Sequence, residues 1–277
     1  THCISSAASD VYKRQIQEAL QKVLEIILGS LKERKKDDDE EEEPDDIKAP
    51  LNFIVNTISD DLNNVNSVAA GVALSWTLAQ YFPEYLDPLI PVLIKTLAKL
   101  VKDHISLATQ FNNNTNPTAN NAEYEAKMTS KLLTKLLKFS AMRISVLGDQ
   151  RRNFLSILVQ LIDRSVDRDL LMKVIEICRG WIFSSNELFP TVKEKAGILT
   201  KMMVFDLKGD TVLSKAFYQT IVDIFNDKSL SFTELTVRME QPFLVGTKLS
   251  EVTIRQELMS ILDSSLDKDI NLSLIHI

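Results

Sequence analysis

The chain has 277 residues, 32 of them basic and 38 acidic, with a formal net charge of −6. That length can bury a large core, and the acidic balance argues against general binding of nucleic acid or anionic membrane. Seven glycines and eight prolines suit a helical chain better than a β-rich one, and no apolar run reaches the roughly 20 residues that a bilayer crossing needs.

Both ends read as foreign to the rest. Asp10–Gln15 is DVYKRQ and Leu272–Ile277 is LSLIHI. The DNA string GATGTGTATAAGAGACAG encodes the first, and its reverse complement encodes the second. Two unrelated peptide ends should not stand in that antisense relation, and the string resembles the transposase end sequence of sequencing libraries. Residues 1–15 and 272–277 are therefore read as translated adapter and flank, leaving Ile16–Asn271 as a native segment open at both ends. His2, His276 and Cys3 leave with them, so His104 and Cys178 are the histidine and cysteine that remain. The charge becomes −7, from 30 bases and 37 acids. One cysteine allows no internal disulfide, which fits a reducing intracellular compartment.

In chain order, 16–36 reads as a helix with Leu20, Val23, Leu24, Ile27 and Leu31 on one side. Residues 37–50 follow as an acidic disordered loop, because the seven consecutive acids Asp37–Glu43 repel one another and bury nothing. An acidic arm for a basic partner such as histone is the other reading of that run. Helical repeats are expected over 51–110, with helices at Leu51–Leu62 and Ala69–Tyr81 and a third running to about Leu107. Pro83, Pro88 and Pro91 punctuate the start of that third helix. Residues 111–122, rich in asparagine, read as a polar loop. From 123 to 271 HEAT-like repeats are expected, opening on a helix to about Val146 with Leu132, Leu133, Leu136 and Leu137 as its core.

The stretch Gly148–Phe183 organises the rest. Phe154, Leu158, Leu161 and Ile162 form one apolar stripe; Leu171, Val174, Ile175, Cys178, Trp181 and Ile182 form a second. The short turn between them, with Asp167 placed to cap the second helix, makes an antiparallel hairpin. Thr191-Val-Lys-Glu194 reads as a capping box opening a helix with Val192, Ala196, Leu199 and Met203 on one face. Leu213, Ala216, Phe217, Ile221 and Ile224 mark its partner. Ser231-Phe-Thr-Glu234 reads as a second box, 40 residues after the first, whose helix ends near Pro242; Ser250 opens the partner with Ile254, Leu258, Ile261 and Leu262. Three hairpins at a period near 40 match HEAT or armadillo repeats of ~40–47 residues. The fold class is thus all-α, an α-solenoid of HEAT/armadillo-like antiparallel hairpins in which stacking buries faces that one hairpin cannot cover.

Three stretches also carry a family resemblance: AMRISVLGDQRRNFLSILVQLIDRS (141–165), FPTVKEKA (189–196) and TELTVRMEQPFLVGTKLSEVTIRQELMSILDSSL (233–266). They resemble the helical solenoid of the TRRAP (transformation/transcription domain-associated protein) family, pseudokinases of the phosphatidylinositol-3-kinase-related kinase family. The resemblance is clearest over Ala141–Leu266. It implies a nuclear, non-catalytic scaffold segment of SAGA- or NuA4-type histone acetyltransferase coactivator complexes. Its partners would be transcription activators and complex subunits, with no membrane and no direct nucleic acid. The alternatives are the accessory HEAT solenoid of an active kinase of the same superfamily and, less favoured, a nuclear transport receptor.

The residues themselves supply no catalytic, cofactor-binding or metal site. Gly29, Gly71, Gly148, Gly180, Gly197, Gly209 and Gly246 are scattered singly, whereas a phosphate loop needs glycines close together. One histidine and one cysteine are too few for a zinc site. Cys178 sits on an apolar stripe and reads as a buried structural thiol rather than a nucleophile. His104 reads as a surface or C-terminal-turn histidine, Trp181 as core, and Arg151 and Arg152 as a solvated helix start rather than an anion clamp.

Overall fold

The computed structural model describes residues 2–37, 45–113, 119–183, 189–231 and 233–275. Among the described residues every regular element is a helix. The chain divides into two compact units, residues 1–154 and 155–277.

The first unit holds α1 (His2–Asp37), α2 (Asp45–Asn63), α3 (Val68–Tyr81), a 3-10 helix (Pro83–Leu89), α4 (Ile90–Asn113) and α5 (Ala119–Met142). α2 packs on α3 and α4 on α5 as hairpins; α1, α3 and α5 lie side by side in one layer, with α2 against α4 in the other. The second unit takes most of α6 (Gln150–Arg164), then α7 (Arg168–Phe183), α8 (Val192–Met202), α9 (Val204–Leu207), α10 (Thr211–Asn226), α11 (Glu234–Arg238), α12 (Glu240–Gly246) and α13 (Val252–Ile275). Here α7, α10 and α13 form one layer, and α8 meets α11 in the other. The starts of α7, α10 and α13, at 168, 211 and 252, are 43 and 41 residues apart, the spacing of stacked helical hairpins.

The central stripes are buried as the periodicity requires. Phe154, Leu158, Leu161 and Ile162 are each 0% exposed, and the six apolar residues of α7 from Leu171 to Ile182 are all in the core. Asp167 caps α7, accepting from the Leu170 N–H at 3.0 Å. Thr191 and Glu194 form the expected reciprocal box at the start of α8.

Several expectations are corrected. In α1 the buried side is Leu24, Leu28 and Leu31, whereas Leu20, Val23 and Ile27 stay exposed; α3 covers only one of the helix's two adjacent apolar stripes. The loop expected over 37–50 yields to α2 from Asp45 onward. Asp45 and Asp46 lie in its first turn, where the helix dipole favours carboxylates. Ile47, Leu51, Val55, Ile58 and Leu62 then run along one buried face. Pro50 removes one backbone bond, and burial of Ile47 and Leu51 on either side offsets that loss. The rest of the acidic run, 38–44, lies outside the described residues.

The asparagine-rich loop is likewise shorter than expected. α4 continues to Asn113 and α5 begins at Ala119, because propagating an established helix gains a bond per residue and asparagine costs only about 0.7 kcal/mol against alanine. Residues 114–118 lie outside the described residues. α5 stops at Met142 rather than Val146, and its Leu132 is only half-buried. In α8 the buried residues are Ala196, Ile198, Leu199 and Met202, so Val192 and Met203 are not core.

The second capping box does not form. Ser231 belongs to the preceding turn, where its hydroxyl faces the Asp227 carbonyl at 3.4 Å. Glu234 is the first residue of α11 and binds Arg238 one turn on, at 2.6 Å. Nor does Pro242 end its helix. A break at Met239 starts α12, and Pro242 falls in its first turn, where a missing N–H costs nothing.

Candidate interaction surface

The residues weighed from sequence are dispersed. Cys178 and Trp181 are both core residues of α7, 4% and 6% exposed. Burial pushes the Cys178 thiol up to about 12, so it stays protonated at neutral pH and is a poor nucleophile. His104 is not at the surface. It is 4% exposed in α4, on the stripe of Leu93, Leu97 and Val101, because the helix runs nine residues past it to Asn113. Arg151 and Arg152 fall in the first turn of α6. Among the described residues no cluster of three or more His, Cys, Asp or Glu is placed to hold a metal ion, and no helix is long and apolar enough to cross a membrane.

What the second unit builds is a set of polar ties between successive hairpins. Arg179 of α7 binds Asp223 of α10 at 2.6 Å and the Thr220 hydroxyl at 3.1 Å. Gln219 reaches from α10 to Glu257 of α13, and Lys215 to Glu251 just before it. Lysines also satisfy the last carbonyls of the preceding helices, which have no partner within their own helix. Lys208 donates to the carbonyls of Ile162 and Asp163 at the end of α6, at 2.9 and 2.7 Å. Lys195 donates to that of Trp181 near the end of α7. Burial lowers the Lys208 ammonium against the pull of Asp163.

The turn from α9 to α10 joins these devices within three residues. Gly209 has φ +70°. Its N–H donates to the Asp206 carbonyl and that of Asp210 to the Phe205 carbonyl, the pairing of a Schellman C-cap, which favours glycine at the left-handed position. Asp210 then caps α10 through the N–H groups of Val212 and Leu213 and accepts from Arg168 at 3.1 Å. Burial alone would raise the Asp210 carboxyl, but the Leu213 N–H, Arg168 and the Val212 N–H outweigh it and hold the group below the usual carboxylate range. Among the glycines of this unit Gly246 has the tightest surroundings. A Cβ there would come within 2.4 Å of Leu258 Cδ1 and 3.0 Å of the Tyr218 ring.

The first unit presents a different surface. Arg143 grips Asp87 through Nε and Nη2, at 2.9 and 2.6 Å to Oδ1. The pair is part-buried and bidentate, a stronger arrangement than the exposed pairs worth about 0–1 kcal/mol. Beside it Leu86, Ile90, Phe139 and Leu147 line a shallow apolar depression. Lys32 lies over the Tyr81 ring, Lys35 over Phe82 and Lys138 over Trp76 at 5.8, 5.6 and 5.3 Å, each a cation–π contact of about 0.5–1 kcal/mol at an exposed site. Lys127, Lys131, Lys135 and Lys138 recur at helical spacing along α5, and like charges one turn apart cost a few tenths of a kcal/mol per pair.

The described residues thus form ties between hairpins and outward-facing side chains. Comparison with known proteins agrees with that picture. The family model of the Tra1 HEAT repeat ring region matches residues 2–277. The chain belongs to this family. It is 44% identical over 275 residues to the SAGA complex/NuA4 acetyltransferase complex subunit TRA1 of Saccharomyces cerevisiae, covering 99% of this chain and 7% of that protein. It is 29% identical over 263 residues to the corresponding Tra1 subunit of Schizosaccharomyces pombe, covering 93% of this chain and 7% of that one. To the human transformation/transcription domain-associated protein it is 30% identical over 205 residues, 70% of this chain and 5% of that one. As a Tra1 ring segment, the chain spans less than a tenth of the length of these relatives. The residues that tie its hairpins, Lys195, Lys208 and Asp210, were not singled out in the sequence; only the Gly209-Asp210 pair carried a turn-and-cap signal.

Proposed function

We propose that this Tra1-family segment is a non-catalytic scaffold within a nuclear transcription coactivator subunit of the SAGA and NuA4 type. In this reading its stacked hairpins supply surface to transcription activators and to other subunits of a histone acetyltransferase complex. The observation that carries the reading is the family match over residues 2–277, on a fold whose second unit ties successive hairpins through side-chain bonds. A solenoid of this kind offers many contacts spread over a long surface instead of one pocket. We also hold residues 1–15 and 272–277 to be adapter-derived, on the antisense relation between their codings.

The test is affinity purification of the full-length protein from its own cells, with mass spectrometry of what comes with it. Acetyltransferase subunits and transcription adaptors are the expected recovery. Recovery of import cargoes with a small nuclear GTPase, or phosphoryl transfer by the purified full-length protein, would overturn the reading.

A further inference from the structure

We propose that Val166, Leu207 and Val212, gathered where the α6–α7 turn meets the α9–α10 turn, form a docking surface for a short basic and aliphatic protein segment. The proposal goes beyond the scaffold reading, since a scaffold segment need not present such a rim.

Three observations support it. The first is exposure. Val166, Leu207 and Val212 are 71%, 86% and 46% exposed, although Ser165, Phe205 and Leu213 close by are buried. Leu207 stands two positions after Phe205, about 200° round the helix, so burying Phe205 turns Leu207 outward. The second is proximity. Lys208 donates to the carbonyls of Ile162 and Asp163, and Arg168 donates to the Asp210 carboxylate. These bonds hold 162–168 against 208–210. Val166 lies within the first stretch, and Leu207 and Val212 flank the second. Exposed aliphatic residues scattered singly need no explanation, whereas several on one rim mark an interaction site. The third is rigidity. The Asp167 N–H donates to the Ser165 hydroxyl, and the Val212 N–H to the Asp210 carboxylate. Both turns therefore hold their shape without a partner, and binding loses little chain entropy.

The charge around the rim selects the partner. Residues 163–169 and 206–212 hold five acids, Asp163, Asp167, Asp169, Asp206 and Asp210, against three bases. Two of those bases, Arg168 and Lys208, are engaged in the ties between the turns. Asp169 and Asp206 are exposed and, among the described residues, pair with no base. An aliphatic centre with an acidic margin matches a segment that carries leucine or valine between arginines or lysines. A nucleic acid or an anionic membrane would meet like charge there. Neither stretch includes an aromatic residue, so the rim offers no ring on which a base could stack.

The experiment uses the full 277-residue chain and fluorescence anisotropy. The probe is a labelled peptide with leucines flanked by arginines. Saturable binding that weakens with added salt is expected. Combined Val166→Ser and Leu207→Ser should raise Kd at least about tenfold, whereas Val166→Ile with Leu207→Met should retain binding. Asp169→Asn with Asp206→Asn should weaken binding and lessen its dependence on salt. Val237→Ser, at a valine 59% exposed beyond the far end of α10, should leave Kd within about twofold. A peptide with serines in place of the leucines should bind at least about tenfold more weakly. Every substituted position is exposed. Circular dichroism establishes that each variant is folded, and the serine peptide decides the matter if the double serine variant is not. Absence of saturable binding, equal weakening by Val237→Ser, equal affinity for the serine peptide, or equally tight binding of a single-stranded oligonucleotide or of phosphatidylserine vesicles would overturn the proposal. The isolated chain is the reagent throughout, so that failure leaves the assembly reading to its own test.

Discussion

The two units solve one packing problem with different local chemistry. The second joins short helices of 4 to 16 residues from α7 to α12 through turns that carry their own instructions: Asp167, Thr191 with Glu194, and Gly209-Asp210. The first relies on longer helices. α4 and α5 are 24 residues each, the starts of α3 and α5 are 51 residues apart, and a 3-10 helix with two prolines takes the corner into α4. Where caps punctuate a chain its helices can be placed from sequence; where length and burial decide, the boundaries drift.

The sharpest contrast sets a buried stripe against an exposed one. Leu158→Ala is expected to cost about 2–5 kcal/mol, because Leu158 is 0% exposed, whereas Leu20→Ala at 52% exposure should stay within about 0.5 kcal/mol. Urea titrations of the two variants measure this, and equal losses would show that the α1 face is covered. Next in size is Gly246→Ala, expected to destabilise by about 1–3 kcal/mol as the new methyl meets Leu258 and Tyr218; an unchanged thermal midpoint would mean that both side chains move aside freely.

Two apparently equal boxes give a paired comparison. Thr191→Ala should cost about 0.5–2 kcal/mol, and Ser231→Ala less than about 0.5, since only the first box is formed. Chemical denaturation that found Ser231 the costlier loss would reverse this account. A smaller effect is expected from pH. A carboxyl depressed in the folded state stabilises the fold above its unfolded value and loses that contribution as pH falls through the folded one. Asp210 is such a group, so the stability gap between the parent chain and Asp210→Asn should narrow as pH drops below the usual carboxylate range. A gap that stays constant into acid would remove Asp210 from the list of stabilising charges. Least of all, deleting residues 1–15 should leave the melting midpoint unchanged, since among the described side chains of α1 the first buried one is Leu24.

By itself the sequence determined the fold class, the two central helices with their buried stripes, the caps at Asp167 and Thr191-Glu194, and the repeat period, because apolar spacing and capping residues act locally and leave a local record. Tertiary structure decided the rest. Which of two adjacent stripes of α1 is buried depends on where α3 lies, so Leu28 is in the core and Val23 is not. His104 is buried because α4 outlasts its proline-marked start by more than twenty residues. Ser231 failed as a cap because the preceding turn had already taken it. The ties made by Lys195, Lys208 and Arg168 join residues 14 to 46 apart in the chain. No spacing rule reaches so far, and only the stacking of one hairpin on the next brings those atoms within a hydrogen bond.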